Sequence, residues 1–136
     1  MNKQVQKALA LAINSHFGQN DKCGQDYILH PIRVSQSFTG YNEKIVALLH
    51  DVVEDTEVTL GEIEEKFNTM IALAVESLTH RKGEAYNDYI ERVKLNPLAT
   101  IVKIADITDN LDPSRQYKGR NDKRYKKALE KLKQIC

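Results

Sequence analysis

Apolar residues along this chain recur three and four positions apart far more often than they alternate, which is the spacing of one face of an α-helix. Val5, Ala8, Leu9, Ala12, Ile13 and His16 form the first such face, which stops before Gly18. A polar stretch over 18–26 reads as a loop. A second short helix is predicted after Pro31, and a third from about 42 to about 54 or 55, carrying Ile45, Val46, Leu48 and Leu49. Thr59 opens a fourth as its N-cap, because Glu62 completes a capping box and Val58 and Ile63 stand as a hydrophobic staple. Ile71, Ala74, Val75 and Leu78 mark a fifth helix, and Tyr86, Tyr89, Ile90 and Val93 a sixth. Asn96 and Pro97 end the sixth and serve equally as N-cap and first residue of a seventh, with Leu98, Ile101, Val102 and Ala105 on its inner face. Tyr125, Ala128, Leu129, Leu132 and Ile135 mark the last. No strand alternation, glycine-rich phosphate loop, internal repeat or low-complexity segment interrupts this pattern. The fold class it predicts is all-α, a compact single-domain helical bundle, with 110–119 as its most flexible connection.

Composition narrows the class. A chain of 136 residues suits one domain of ordinary size, and 29% charged with 41% hydrophobic residues is too apolar for disorder. The uninterrupted apolar runs fall far short of the ~18 residues needed to cross a bilayer, and the Ala/Leu-rich start carries no small-residue cleavage site, so a cytoplasmic protein without membrane contact is expected. Cys23 and Cys136 offer neither metal-ligand spacing nor a disulfide scaffold, which agrees with a reducing compartment. The net charge of +1 conceals a division: of 20 Lys/Arg and 19 Asp/Glu, 114–136 carries 9 and 2. A basic tail can meet phosphates, yet the commoner meaning of one basic helix face is a solvated surface, so nucleic acid is not the expected partner. The pattern specifies no oligomeric state.

The informative segment is His50-Asp51-Val52-Val53-Glu54-Asp55-Thr56 at the end of the third helix. On one continuous helix His50 lies over Glu54 and Asp51 over Asp55, which crowds three carboxylates and an imidazole into little more than a turn. The nearest basic residues in sequence are Lys44 and Lys66, and the helix C-terminus itself disfavours carboxylates. A divalent metal supplies the missing positive charge; an exposed acidic helix end accounts for the cluster equally well if it stands alone. His30 sits before Pro31 at a corner between loop and helix, and a lone His beside apolar residues is more often a packed core histidine than a ligand. Asp106 lies at the edge of the buried stripe of the seventh helix, a costly place for an unpaired carboxylate, and shares a face with Asp109 and Asn110. His30, His50, Asp51 and Asp106 come from three separate helices, which is how bundles build interior metal sites.

The order His, His-Asp, distant Asp resembles the HD-domain metal-dependent phosphohydrolases. More narrowly, His16-Phe17-Gly18-Gln19, Gly24-Gln25-Asp26-Tyr27-Ile28-Leu29-His30-Pro31, the 50–56 box and Lys103-Ile104-Ala105-Asp106 with Asn110 resemble the hydrolase domain of the RelA/SpoT family, whose short members are the small alarmone hydrolases. The resemblance covers about residues 8 to 115. It implies that the chain, 1–136, is one HD-type helical domain with an interior site where His30, His50, Asp51 and Asp106 hold one Mn2+ ion. It implies Glu54 and Asp55 as catalytic carboxylates beside the attacking water, and removal of the 3′-pyrophosphate from guanosine tetra- or pentaphosphate (ppGpp, pppGpp). Departures fall where base and sugar bind. Where the family carries Arg-Lys in the loop, with the Arg stacking on guanine, this chain has Asp21-Lys22; Ile107 replaces an Arg and Pro113 a Thr. Asp21 can accept hydrogen bonds from guanine N1 and N2, while Lys22, Lys103 and Arg115 are the cations expected around the phosphates, with Asn110 retained. Two other readings stand beside this one: an HD phosphohydrolase for a different nucleotide, and a binding protein that keeps the metal fold without turnover.

Overall fold

A computed structural model describes residues 2–134; Ile135, which the periodicity assigns to the last helix, and Cys136 lie outside the described residues. The helices are α1 (Lys3–Ser15), α2 (Leu29–Gln36), α3 (Tyr41–Leu49), α4 (Val52–Asp55), α5 (Leu60–Lys66), α6 (Thr69–Leu78), α7 (Tyr86–Lys94), α8 (Pro97–Asn110) and α9 (Asp122–Lys133), with a 3₁₀ turn at Pro113–Arg115. Among the described residues there is no strand, only a single bridge between Asn20 and Asp26 that pinches the loop after α1. The all-α expectation holds.

α3 forms the centre. Ile45, Val46, Ala47, Leu48 and Leu49 are all buried, so its last turns are apolar on every side and need neighbours all round. α1, α2, α6 and α8 supply them. Each fully buried Leu or Ile contributes about 1.5–3 kcal/mol relative to exposure, which is why this short helix needs no side-chain cap. α8 lays Ala99, Val102 and Ile107 against the same core, and α7 and α9 close over its outer side.

Local signals set the helix ends. Thr59 Oγ1 accepts from Glu62 N (3.2 Å), the Thr half of the expected capping box, and Ile63 is wholly buried with Val58 packed against the core. Asn96 Oδ1 accepts from Ala99 N (2.9 Å) with Pro97 at the first position. After α1 the chain reverses through Gly18, whose φ of 84° is open to glycine at no steric cost.

Three expectations need correction. α2 starts before Pro31, at Leu29; Pro31 is its third residue, where a missing N–H costs nothing because first-turn amides have no intrahelical acceptor. The expected third helix is two, because the His50 imidazole bonds back to Ala47 O (2.6 Å) and Asp51 leaves the helical region at φ −112°, ψ 0°. The connection 110–119 is not loose: Arg120 donates to the carbonyls of Asn110 (3.0 Å), Asp112 (2.9 Å) and Arg115 (3.2 Å).

Candidate metal centre

The break after α3 builds the site. His50 Nδ1 carries the proton that Ala47 O accepts, so Nε2 is left with its lone pair, and that atom is buried without a hydrogen-bond partner. His30, in the first turn of α2, and Asp106, in the last turns of α8, meet it: one ligating atom from each of His30, His50 and Asp106 lies within 4.8 Å of the others, and all three residues are buried. Asp51 borders this group, with Oδ2 3.1 Å from His50 Nε2 and a short hydrogen bond from the Tyr27 hydroxyl. These four residues converge from α2, the α3–α4 junction and α8, three separate parts of the bundle as expected.

Two nitrogens, one firmly placed carboxylate and a second carboxylate alongside suit a first-row divalent cation. An unpartnered lone pair buried among carboxylates is the observation that fits such an ion, since a buried acceptor left without a donor is costly. Electrostatics tell the same story. Burial and the nearby Asp106 push the Asp51 carboxyl well above its usual range. Burial works against ionised Asp106 too, but the Lys103 ammonium beside it outweighs burial and holds that carboxyl low. Lys103 Nζ lies 2.8 Å from Asp106 Oδ2, so a cation distant in sequence partly supplies the charge that the 50–56 segment lacks.

A cavity of about 420 Å³ opens beside the group and is lined by His30, Asp51, Glu54, Asp55 and Asp106, by Asp21, Lys22, Lys103, Asn110 and Arg115, and by Asn20, Tyr27, Tyr117 and Tyr125. Every sequence-derived candidate but His50 reaches this wall, and His50 lies behind it. Their engagements differ from expectation in two cases. Asp21 is not free for a base: its Oδ1 accepts from Cys23 N and Gln25 N (both 2.9 Å), and its Oδ2 faces Arg115 Nη2 at 3.6 Å. Lys103 is bound to Asp106 rather than open to a phosphate. Ile107, at the position of a family Arg, is wholly buried in the core. Lys22 is exposed with Nζ over the Tyr117 ring (5.3 Å), and Arg115 Nη1 donates to Asn110 Oδ1 (2.9 Å).

Glu54 Oε1 accepts from His80 N (2.8 Å), which fixes the carboxylate at the rim. Burial and Glu54 raise the Asp55 carboxyl, and Gln19 holds its backbone, donating to Asp55 O (3.1 Å) while accepting from His16 Nδ1 (2.9 Å). Sequence reasoning noted Asp109 only as sharing a face with Asp106, yet it bonds the second nitrogen of His30 (2.6 Å). Tyr27 lay inside a quoted motif without a role; its hydroxyl is on Asp51.

The chain matches the family described as HD domain over residues 8–135. It is 31% identical over 142 residues to the guanosine-3′,5′-bis(diphosphate) 3′-pyrophosphohydrolase of Aquifex aeolicus, covering 96% of this chain and 20% of that protein. It is 29% identical over 145 residues to the bifunctional (p)ppGpp synthase/hydrolase SpoT of Escherichia coli, with 96% and 20% covered. The chain thus spans about a fifth of the length of these curated relatives. A solved structure described as a metazoan ortholog of SpoT that hydrolyzes ppGpp superposes with a TM-score of 0.79 at 25% identity, covering 99% of this chain and 84% of that one. No described helix is long and apolar enough to cross a membrane.

Proposed function

The chain belongs to the HD-domain family, and on that premise we propose that it is a cytoplasmic, manganese-dependent hydrolase that removes the 3′-pyrophosphate from ppGpp and pppGpp. The observation that carries this reading is the unpartnered Nε2 of His50, buried beside His30, Asp51 and Asp106 behind the wall of a polar cavity. The similarity to proteins named for ppGpp hydrolysis supports the substrate.

His30, His50, Asp51 and Asp106 would hold the cation. When bound, it supplies a Lewis acid that brings the pKa of a water towards neutrality and polarises a phosphoryl oxygen. Glu54, oriented by the His80 amide, accepts the proton of the attacking water at its free oxygen; Asp55 is the next carboxylate in reach. Lys22 and Arg115, which line the same cavity, balance the phosphate charge, and Asn110 holds Arg115 in position. Asp21 braces the loop and Arg115.

A second reading, hydrolysis of a different nucleotide, is favoured by one observation: the loop presents no guanidinium for stacking, because Asp21 stands there with its carboxylate already engaged. A nucleotide panel with Mn2+ separates the two. Pyrophosphate release from ppGpp supports the first; no release from ppGpp with clear hydrolysis of another member moves the assignment to the second.

A further inference from the structure

His30 is gripped from both sides. Its Nε2 faces Asp106 Oδ1 at 2.7 Å, and its Nδ1 faces Asp109 Oδ2 at 2.6 Å, well inside the 3.2 Å that separates Nδ1 from Arg115 Nη1. Asp106 and Asp109 lie three residues apart on α8, on one face, so a single turn of helix presents a carboxylate to each ring nitrogen. Only one nitrogen of an imidazole can offer a lone pair to a cation while the other keeps its proton. Asp106 belongs to the buried three-residue group with His50, so Nε2 is the nitrogen that turns inward, and Nδ1 is the one whose proton Asp109 accepts.

Asp109 is equipped for this task. Arg33 Nε donates to its Oδ1 (3.0 Å), and Arg33 Nη2 (3.2 Å) and Arg115 Nη1 (2.8 Å) donate to its Oδ2. Two guanidiniums and an imidazole on one carboxylate keep it ionised and leave it little freedom to rotate.

We infer that Asp109 is a positioning residue for the metal centre: by accepting the Nδ1 proton it fixes the tautomer and ring angle of His30, so that Nε2 is presented to a divalent ion. The same carboxylate carries Arg115, so the ligand on α2 and the phosphate-facing cation after α8 share one anchor. This inference rests on the metal reading above, and its test keeps the two apart.

Mn2+ affinity of the full metal-free chain is measured by competition with a chromophoric chelator, with helicity checked by circular dichroism. If the wild-type chain takes up no ion, the metal reading itself fails. Where it does, Asp109→Ala should weaken Mn2+ binding about 10- to 100-fold, the usual cost of removing the acceptor behind a histidine ligand, while Arg33→Ala, which leaves Asp109 on His30, stays within about 3-fold of wild type by the same reasoning. Unchanged affinity in Asp109→Ala, or an equal loss in Arg33→Ala, overturns the inference. A readout on the unaltered protein does not depend on the variants folding: nitrogen-15 histidine spectra of the Zn2+-loaded chain should show His30 protonated at Nδ1 and metal-bound at Nε2. The opposite tautomer overturns it.

Discussion

Two charged clusters in this bundle look alike in composition and differ in completeness. At the α6–α7 connection, Arg92 donates to Glu84 through Nε and Nη2 (both 2.9 Å) and to the carbonyls of Glu76 (3.1 Å), Ser77 (3.4 Å) and Thr79 (2.8 Å). A cation on the free carbonyls of a helix end, with a carboxylate behind it, uses its valences fully, and no buried side-chain atom of this pair lacks a partner. At the α2–α3–α8 junction, imidazoles and carboxylates are packed as closely, yet His50 Nε2 is left over and a cavity stands beside it. The closed cluster fastens two helices. The open one has donor atoms for a guest, and the difference lies in satisfied valence rather than in the count of charges.

The largest effect expected from breaking that contrast is at Asp106. Asp106→Ala removes the carboxylate shared by both imidazoles and Lys103, so bound metal and turnover should both be lost; elemental analysis showing unchanged metal would mean that the site is misassigned. Glu54→Gln should keep fold and metal, since its amide oxygen still accepts from His80 N, but lose at least ~100-fold in turnover. Near-native turnover removes Glu54 from the mechanism and leaves Asp55.

In the closed cluster the expected result is reversed. Arg92→Ala should lower unfolding stability by about 3 kcal/mol with Mn2+ affinity unaltered, read by denaturant melts beside the chelator assay. Its pH dependence has a defined sign. The bond from Arg92 lowers the Glu84 carboxyl from 4.5 to about 2, so the pair stabilises the fold above pH 4.5 and loses that contribution as the pH falls towards 2. Glu84→Gln should therefore be destabilised at neutral pH and converge on wild type in acid. The smallest effect belongs to α9, whose Lys123, Lys126, Lys127 and Lys133 are exposed while Ala128 and Leu132 are buried. Changing these four lysines to Gln should move stability by no more than ~0.5 kcal/mol. RNA binding that falls steeply with salt would contradict a solvated role for this face.

Much of the fold and of the open cluster was legible in the sequence. Periodicity located the helices, Thr59 and Asn96 announced their starts, and the His/Asp order named His30, His50 and Asp106, which do meet, with Asp51 bordering them. What escaped has a common cause. The break at Asp51 follows from a side chain bonding backwards to Ala47, while the apolar pattern runs on through it. Asp109 shows its face in the sequence but not that Arg33 and His30, more than 75 residues away, pack against it. Asp21 read as a substrate contact because the loop's own amides, which take its Oδ1, carry no mark in the residue pattern. Long-range pairing decides which polar groups remain available, and spacing along one helix does not report it.

The central claim is that the open cluster is a metal site. Crystals of the full chain grown with Mn2+ and measured at the manganese absorption edge test it most directly. The expected result is one anomalous peak within bonding distance of His30 Nε2, His50 Nε2 and an Asp106 oxygen, with Asp51 moved in to complete the set. A well-ordered His30–His50–Asp106 cluster with no peak, or manganese bound only at Glu54 and Asp55, would contradict it.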